Sequence, residues 1–187
     1  RRAQQAVAAD DPQASARGRH RFAALLRIYS CLWIADASTL ERVRKTSTEL
    51  RQRTGAVLGG KLLMIVDALC HLPVLALFEA EAAANEKRFN ARILQALPQG
   101  GLIVLDAGFF SFAFFDAFTA AGKYFLTRMK SNTAFASVEV LSKGPYYRDE
   151  IITVGQHRSP RCISTFRMVS VLWGTTWYRY LTNELDP

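Results

Sequence analysis

Two short apolar runs each stop on a carboxylate: Leu32-Trp33-Ile34-Ala35-Asp36 and Leu102-Ile103-Val104-Leu105-Asp106. Four or five apolar residues closed by such a stop have the length of a buried strand and not of a helix. The second run is apolar throughout, so both of its faces are expected to be covered, as in a parallel sheet. A strand interior does not tolerate an unpaired charge, whereas its end does. Asp36 and Asp106 are therefore expected at strand ends, where neighbouring strands can bring two such side chains together.

Around these runs the hydrophobic period alternates. Phe22, Leu25, Leu26 and Tyr29 have helical spacing, and the polar, basic stretch 38–53 is helix-compatible and closed by Gly55, Gly59 and Gly60. Residues 61–67 read as a second strand, Leu72-Pro73 breaks it, and 74–78 reads as a third, paired antiparallel. Asn85 is a candidate cap for a helix to Leu97 with Phe89, Ile93, Leu94 and Leu97 on one face. Ser111 is a candidate cap for a helix to about Ala121, which Gly122 stops, and 124–129 is a fifth strand. Three strands, helix, strand, helix, strand make an α/β layer with a mixed sheet. Beyond it, 138–141, 150–154, 162–171 and 176–181 alternate or are β-branched, with Gly-Pro and Ser-Pro turns between them. The expected division is a linker or the end of a preceding region over 1–19, an α/β core over 20–135 and a β-rich insertion over 136–187.

Composition narrows the function classes. Hydrophobic residues at 50% and charged residues at 21% are ordinary for a globular chain. The formal charge of +8 is uneven: residues 1–61 hold 12 Lys+Arg against 5 Asp+Glu, a net of +7. Such an excess favours a polyanionic partner, most often nucleic acid, although solubility alone also accounts for it. Cys31, Cys70 and Cys162 are scattered, so neither a zinc signature nor a disulfide framework is present, and a reducing cytoplasm fits. No apolar run reaches the roughly 18–20 residues of a membrane span. The chain opens on Arg-Arg-Ala without an initiator Met and reads as a piece of a longer protein. There is no GxxxxGK[ST], GxSxG or HExxH, which sets nucleotide-kinase and hydrolase readings low.

If Asp36 and Asp106 meet, their mutual repulsion calls for a divalent cation, and Mg²⁺ suits an all-oxygen site that acts on phosphate. Paired metals can activate an attacking oxygen and steady a leaving one. The alternative is that each Asp merely caps the turn after its strand. Asp67 also ends a strand, but the second strand runs the other way, so it is expected toward the opposite end and in a structural role. His71 reads as a turn residue before it reads as a ligand. Arg128 and Lys130, after the fifth strand, can grip phosphate or simply be solvated. Arg42, Arg44 and Lys45, with Arg51 and Arg53, form a second basic stretch suited to DNA phosphates. The aromatic cluster Phe109, Phe110, Phe112, Phe114, Phe115 and Phe118 reads as core and not as a base-stacking surface.

These residues also resemble a known family. The segment 33–40, Trp-Ile-Ala-Asp-Ala-Ser-Thr-Leu, resembles the first catalytic motif of bacterial DDE-type insertion-sequence transposases of the insertion-sequence-four family. Leu58-Gly59-Gly60-Lys61-Leu62 with Asp67 and Leu72-Pro73 resembles the hairpin that follows there, and 102–109, Leu-Ile-Val-Leu-Asp-Ala-Gly-Phe, the second catalytic motif. The segment 124–132 resembles the next strand, and 178–183 a strand near the third motif. The resemblance covers roughly 20–187, in order. It implies a ribonuclease-H-like fold with a β-rich insertion, and Asp36 and Asp106 as catalytic aspartates binding Mg²⁺ or Mn²⁺. It further implies cleavage at transposon ends followed by joining to target DNA, with Arg128 and Lys130 near the processed strand. Localisation in the bacterial cytoplasm and a homodimer of the full-length protein are further expectations. The family's third motif spaces Tyr, Arg, Glu and Lys in a way that no segment here reproduces, so the catalytic Glu is expected to lie outside this chain. A fragment weak or inactive alone is the corresponding expectation. Its rivals are a non-catalytic DNA-binding remnant and a ribonuclease-H-like nuclease unrelated to transposition.

Overall fold

The computed structural model describes residues 22–40, 60–81, 83–157 and 161–187. Within them the apolar runs become nine strands: β1 Leu32–Thr39, β2 Lys61–Asp67, β3 Pro73–Glu79, β4 Leu102–Leu105, β5 Tyr124–Arg128, β6 Phe135–Lys143, β7 Tyr147–Val154, β8 Thr165–Trp173 and β9 Thr176–Thr182. Two helices, α1 Asn90–Ala96 and α2 Phe112–Ala120, separate β3 from β4 and β4 from β5. All nine strands form one sheet, ordered β3-β2-β1-β4-β5-β9-β8-β7-β6. The fold is a mixed α/β sheet with few helices, consistent with the ribonuclease-H-like expectation.

The register follows from connection length. β1, β2 and β3 are antiparallel neighbours, while β1, β4 and β5 run parallel because a helix crosses over between each later pair. The β-rich part continues the same sheet: β9 pairs antiparallel with β5 through Leu126↔Thr182 and Thr127↔Leu181. β6 to β8 then extend it as a meander.

Alternation along the strands sorts the faces. Trp33, Ala35, Leu63, Ile65, Ile103, Leu105 and Phe125 point to one face and are buried with Ile93 of α1 and Phe114, Phe115 and Phe118 of α2. Phe115 stacks on Phe125 with ring centroids 4.4 Å apart, and both are fully buried. The dense phenylalanines are thus core. On the other face a smaller cluster, Tyr29, Leu32 and Leu102, covers the start of the parallel strands. Farther along that face Ile34 and Val104 are 46% and 38% exposed.

Local signals account for the helix ends. Asn85 caps a 3-10 turn, Glu86–Phe89, by accepting the Lys87 N–H, and α1 follows directly. Ser111 stands at the start of α2 but makes no side-chain capping bond. Gly122, at φ 61°, supplies the left-handed residue that ends α2. No described helix is long and apolar enough to cross a membrane.

Candidate active site

Asp36 does not end its strand. β1 runs on to Thr39 because β2 keeps pairing with it, Asp36 opposite Met64 and Thr39 opposite Lys61. What ends beside Asp36 is the parallel ladder, whose last pair with β4 is Ala35↔Leu105. Asp106 follows Leu105 and caps a 3-10 turn, Ala107–Phe109, its Oδ2 accepting the Gly108 N–H at 3.4 Å. A side chain at Gly108 would collide with the Glu86 carboxylate, so this turn closes tightly over the helix side of the sheet.

The register extends one strand further. Leu105 pairs with Thr127 of β5, so Asp36, Asp106 and Arg128 follow three residues that share one level. Ala35, Leu105 and Thr127 are buried toward the helices, and alternation turns the next residue of each strand to the opposite face. The structure thus sets Asp36, Asp106 and Arg128 in a row across three neighbouring strands, about 4.8 Å apart from strand to strand. All three are exposed.

Asp67 is elsewhere. It pairs with Trp33, three residues back along β1, about 10 Å from the level of Asp36, and alternation gives it the helix-covered face. Its Oδ1 accepts the N–H groups of Leu69 at 2.7 Å and Cys70 at 3.3 Å, which makes it a turn cap. His71 is an exposed turn residue at φ 61°. Among the described residues no group of three or more His, Cys, Asp or Glu could hold a metal ion. Two carboxylates side by side with solvent before them do fit an oxygen-loving cation that keeps several of its waters.

Beside Asp106 lies an open cleft of about 520 Å³ lined by Arg128, Lys130, Asn132, Trp177 and Arg179. Arg128 lies 4.9 Å from the centroid of the Tyr178 ring, and Lys130 lies 5.8 Å from that of Phe110. Each cation is thereby held against an aromatic face while its charge stays exposed. Trp177 and Arg179 had no assigned role in the sequence. They enter because β9 docks on β5, with the Met129 N–H donating to Arg179 O at 2.9 Å. The alternating pattern marked that strand without revealing its neighbour. Arg42, Arg44 and Lys45 lie outside the described residues.

A family model described as a transposase DDE domain matches residues 30–170. No curated protein matches the chain.

Proposed function

The chain belongs to the transposase DDE domain family, and from that premise we propose that it is part of the catalytic domain of an insertion-sequence transposase of the insertion-sequence-four type. Asp36 and Asp106 are its metal-binding acids, and DNA is its substrate. The observation that carries this reading is the Ala35↔Leu105 register, which sets two exposed carboxylates level on adjacent parallel strands. Mg²⁺ or Mn²⁺ held there would supply Lewis-acid activation of the attacking oxygen and charge relief at the phosphate. Arg128, Lys130 and Arg179 grip DNA phosphates in the cleft beside Asp106 and hold the scissile strand over the two acids. The reactions are strand cleavage at the element ends and transfer of the freed 3′-hydroxyl to target DNA. A homodimer is part of the same proposal.

The net charge of +7 over residues 1–61 favours a second reading, a DNA-binding remnant without catalysis. Nicking of the element's terminal DNA in Mn²⁺ separates them. Slow, metal-dependent nicking lost in Asp36→Ala and in Asp106→Ala supports the enzyme. DNA binding without nicking supports the remnant. Robust nicking that survives both substitutions would remove Asp36 and Asp106 from the site.

A further inference from the structure

Lys130 borders a second cavity, on the helix-covered side of the sheet. This cavity has a volume of about 380 Å³, and its polar lining is Lys87, Ser111, Lys130, Asn132, Thr133 and His157. Lys87 comes from the 3-10 turn before α1, Lys130 and Asn132 from the turn after β5, and His157 from the turn after β7. Two ammonium groups and an imidazole from three separated segments thus converge on one hollow that, among the described residues, no acidic side chain lines.

Nearby acids are engaged elsewhere. Glu86, next to Lys87, pairs with Lys61 at 3.5 Å. Asp116 of α2 accepts the N–H groups of Ile163 and Ser164. Among the described residues neither Lys87 nor Lys130 forms an ion pair. Phe112 and Ala113, in the first turn of α2, also line the hollow, and their N–H groups have no partner within the helix. Uncompensated positive charge in a concavity, with hydroxyl and amide donors around it, selects an anion with several acceptor oxygens.

Lys130 and Asn132 line both this cavity and the Asp106 cleft, so a single polyanion can occupy the two together. We infer that the Lys87–Lys130–His157 cavity is a phosphodiester-binding subsite that holds the DNA backbone as it leaves the Asp106 cleft. The inference rests on the reading of the cleft as a DNA site, and the test keeps the two apart.

The measurement is the anisotropy of a fluorescein-labelled duplex titrated with the chain across a potassium chloride series. Lys87→Ala, Lys87→Glu and the double variant Lys87→Ala/His157→Ala probe the cavity, and Arg128→Ala probes the cleft. Lys87 and His157 are exposed, and unfolding midpoints equal to wild type show that the fold is kept. One lost phosphate contact lowers the slope of log K against log salt by about 1. That drop in Lys87→Ala, with further weakening in Lys87→Glu and in the double variant, is the expected result. Cavity variants that track wild type while Arg128→Ala weakens binding overturn the subsite and leave the cleft standing. A wild-type chain with no salt-dependent binding overturns both. Inorganic phosphate separates a free-anion site from a backbone site. If it raises the melting temperature of wild type but not of Lys87→Ala, and the DNA slopes are unchanged, the DNA assignment is wrong.

Discussion

The side chain of Asn183 accepts the backbone N–H of Phe125 at 3.0 Å, and its amide donates to Lys123 O at 2.8 Å. Its carboxamide thus continues the β5–β9 ladder one step past Leu126↔Thr182. Asn183 is buried, so any group left unpaired there is not rescued by water. This bond joins the parallel strands that carry the acids to the strand that carries Trp177 and Arg179.

Asn183→Ala should therefore cost roughly 1–3 kcal/mol, because it strands the buried Phe125 N–H of β5 and the part-buried Lys123 carbonyl just before it. Asn183→Asp keeps the acceptor but loses the donor to Lys123 O, and should be no milder. Urea unfolding monitored by circular dichroism measures both. A midpoint within error of wild type would mean that the sheet joint is held by its other contacts.

Replacing Asp36 or Asp106 by Asn should leave stability within about 0.5 kcal/mol, since both are exposed and neither joins an ion pair among the described residues. Metal binding should vanish in each variant, because one remaining carboxylate does not displace the waters of a hydrated cation. Thermal melts with and without millimolar Mn²⁺ read this out. An Asn variant that retains the full metal-induced shift places the ion elsewhere.

The strands that hold the acids were legible because their signals are local: an unbroken apolar run, then a carboxylate. The Asn85 cap and the phenylalanine core were legible for the same reason. Ser38 and Thr39 misled, since the polar stretch that they open reads as the start of a helix. Pairing with Leu62 and Lys61 of β2 holds them extended, and no local propensity announces that partner. Docking of β9 on β5 joins residues more than fifty positions apart, so Arg179 could be placed on a strand but not beside Asp106. The row formed by Asp36, Asp106 and Arg128 also needed register, which sequence alternation alone does not fix.

Acid should loosen the loop that precedes β8. Burial raises the Asp116 carboxyl, but hydrogen bonds from the Ser164 side chain, the Ser164 and Ile163 backbones and Cys162 outweigh it and hold the group below its ordinary 3.8. A carboxylate depressed in the folded state contributes stability above its unfolded pKa and loses it as the pH falls through the folded one. Asp116→Asn should thus be less stable than wild type at neutral pH, and the two should converge as the pH drops below about 4. Denaturant midpoints across that range check it; a gap that stays constant would show that Asp116 acts through packing alone. The Cys162 thiol, raised to about 12 by burial and the Asp116 carboxylate, should resist alkylation at pH 8 until the chain unfolds.

Trp177 should favour unpaired DNA. The residue is 45% exposed and lines the Asp106 cleft as well as a smaller hollow of about 260 Å³ that contains Arg148 and Arg179. In that hollow Glu150 is buried and held by Arg148 at 2.8 Å and Ser137 at 2.7 Å, so the acid that lines it is already paired. An exposed indole flanked by guanidinium groups is the arrangement that stacks a base while the backbone is gripped alongside. Trp33 is buried in the core, so its truncation would unfold the chain before it reported on DNA. Trp177→Ala should weaken binding to a single-stranded oligonucleotide by about 1–3 kcal/mol, with a smaller loss for a duplex whose bases are already stacked. Trp177→Phe should recover most of the difference, whereas Arg179→Ala should weaken both ligands alike and flatten their salt dependence. Anisotropy titrations with the two ligands separate these effects. Equal losses for single strand and duplex in Trp177→Ala would mean that the indole only shapes the cleft and does not meet a base.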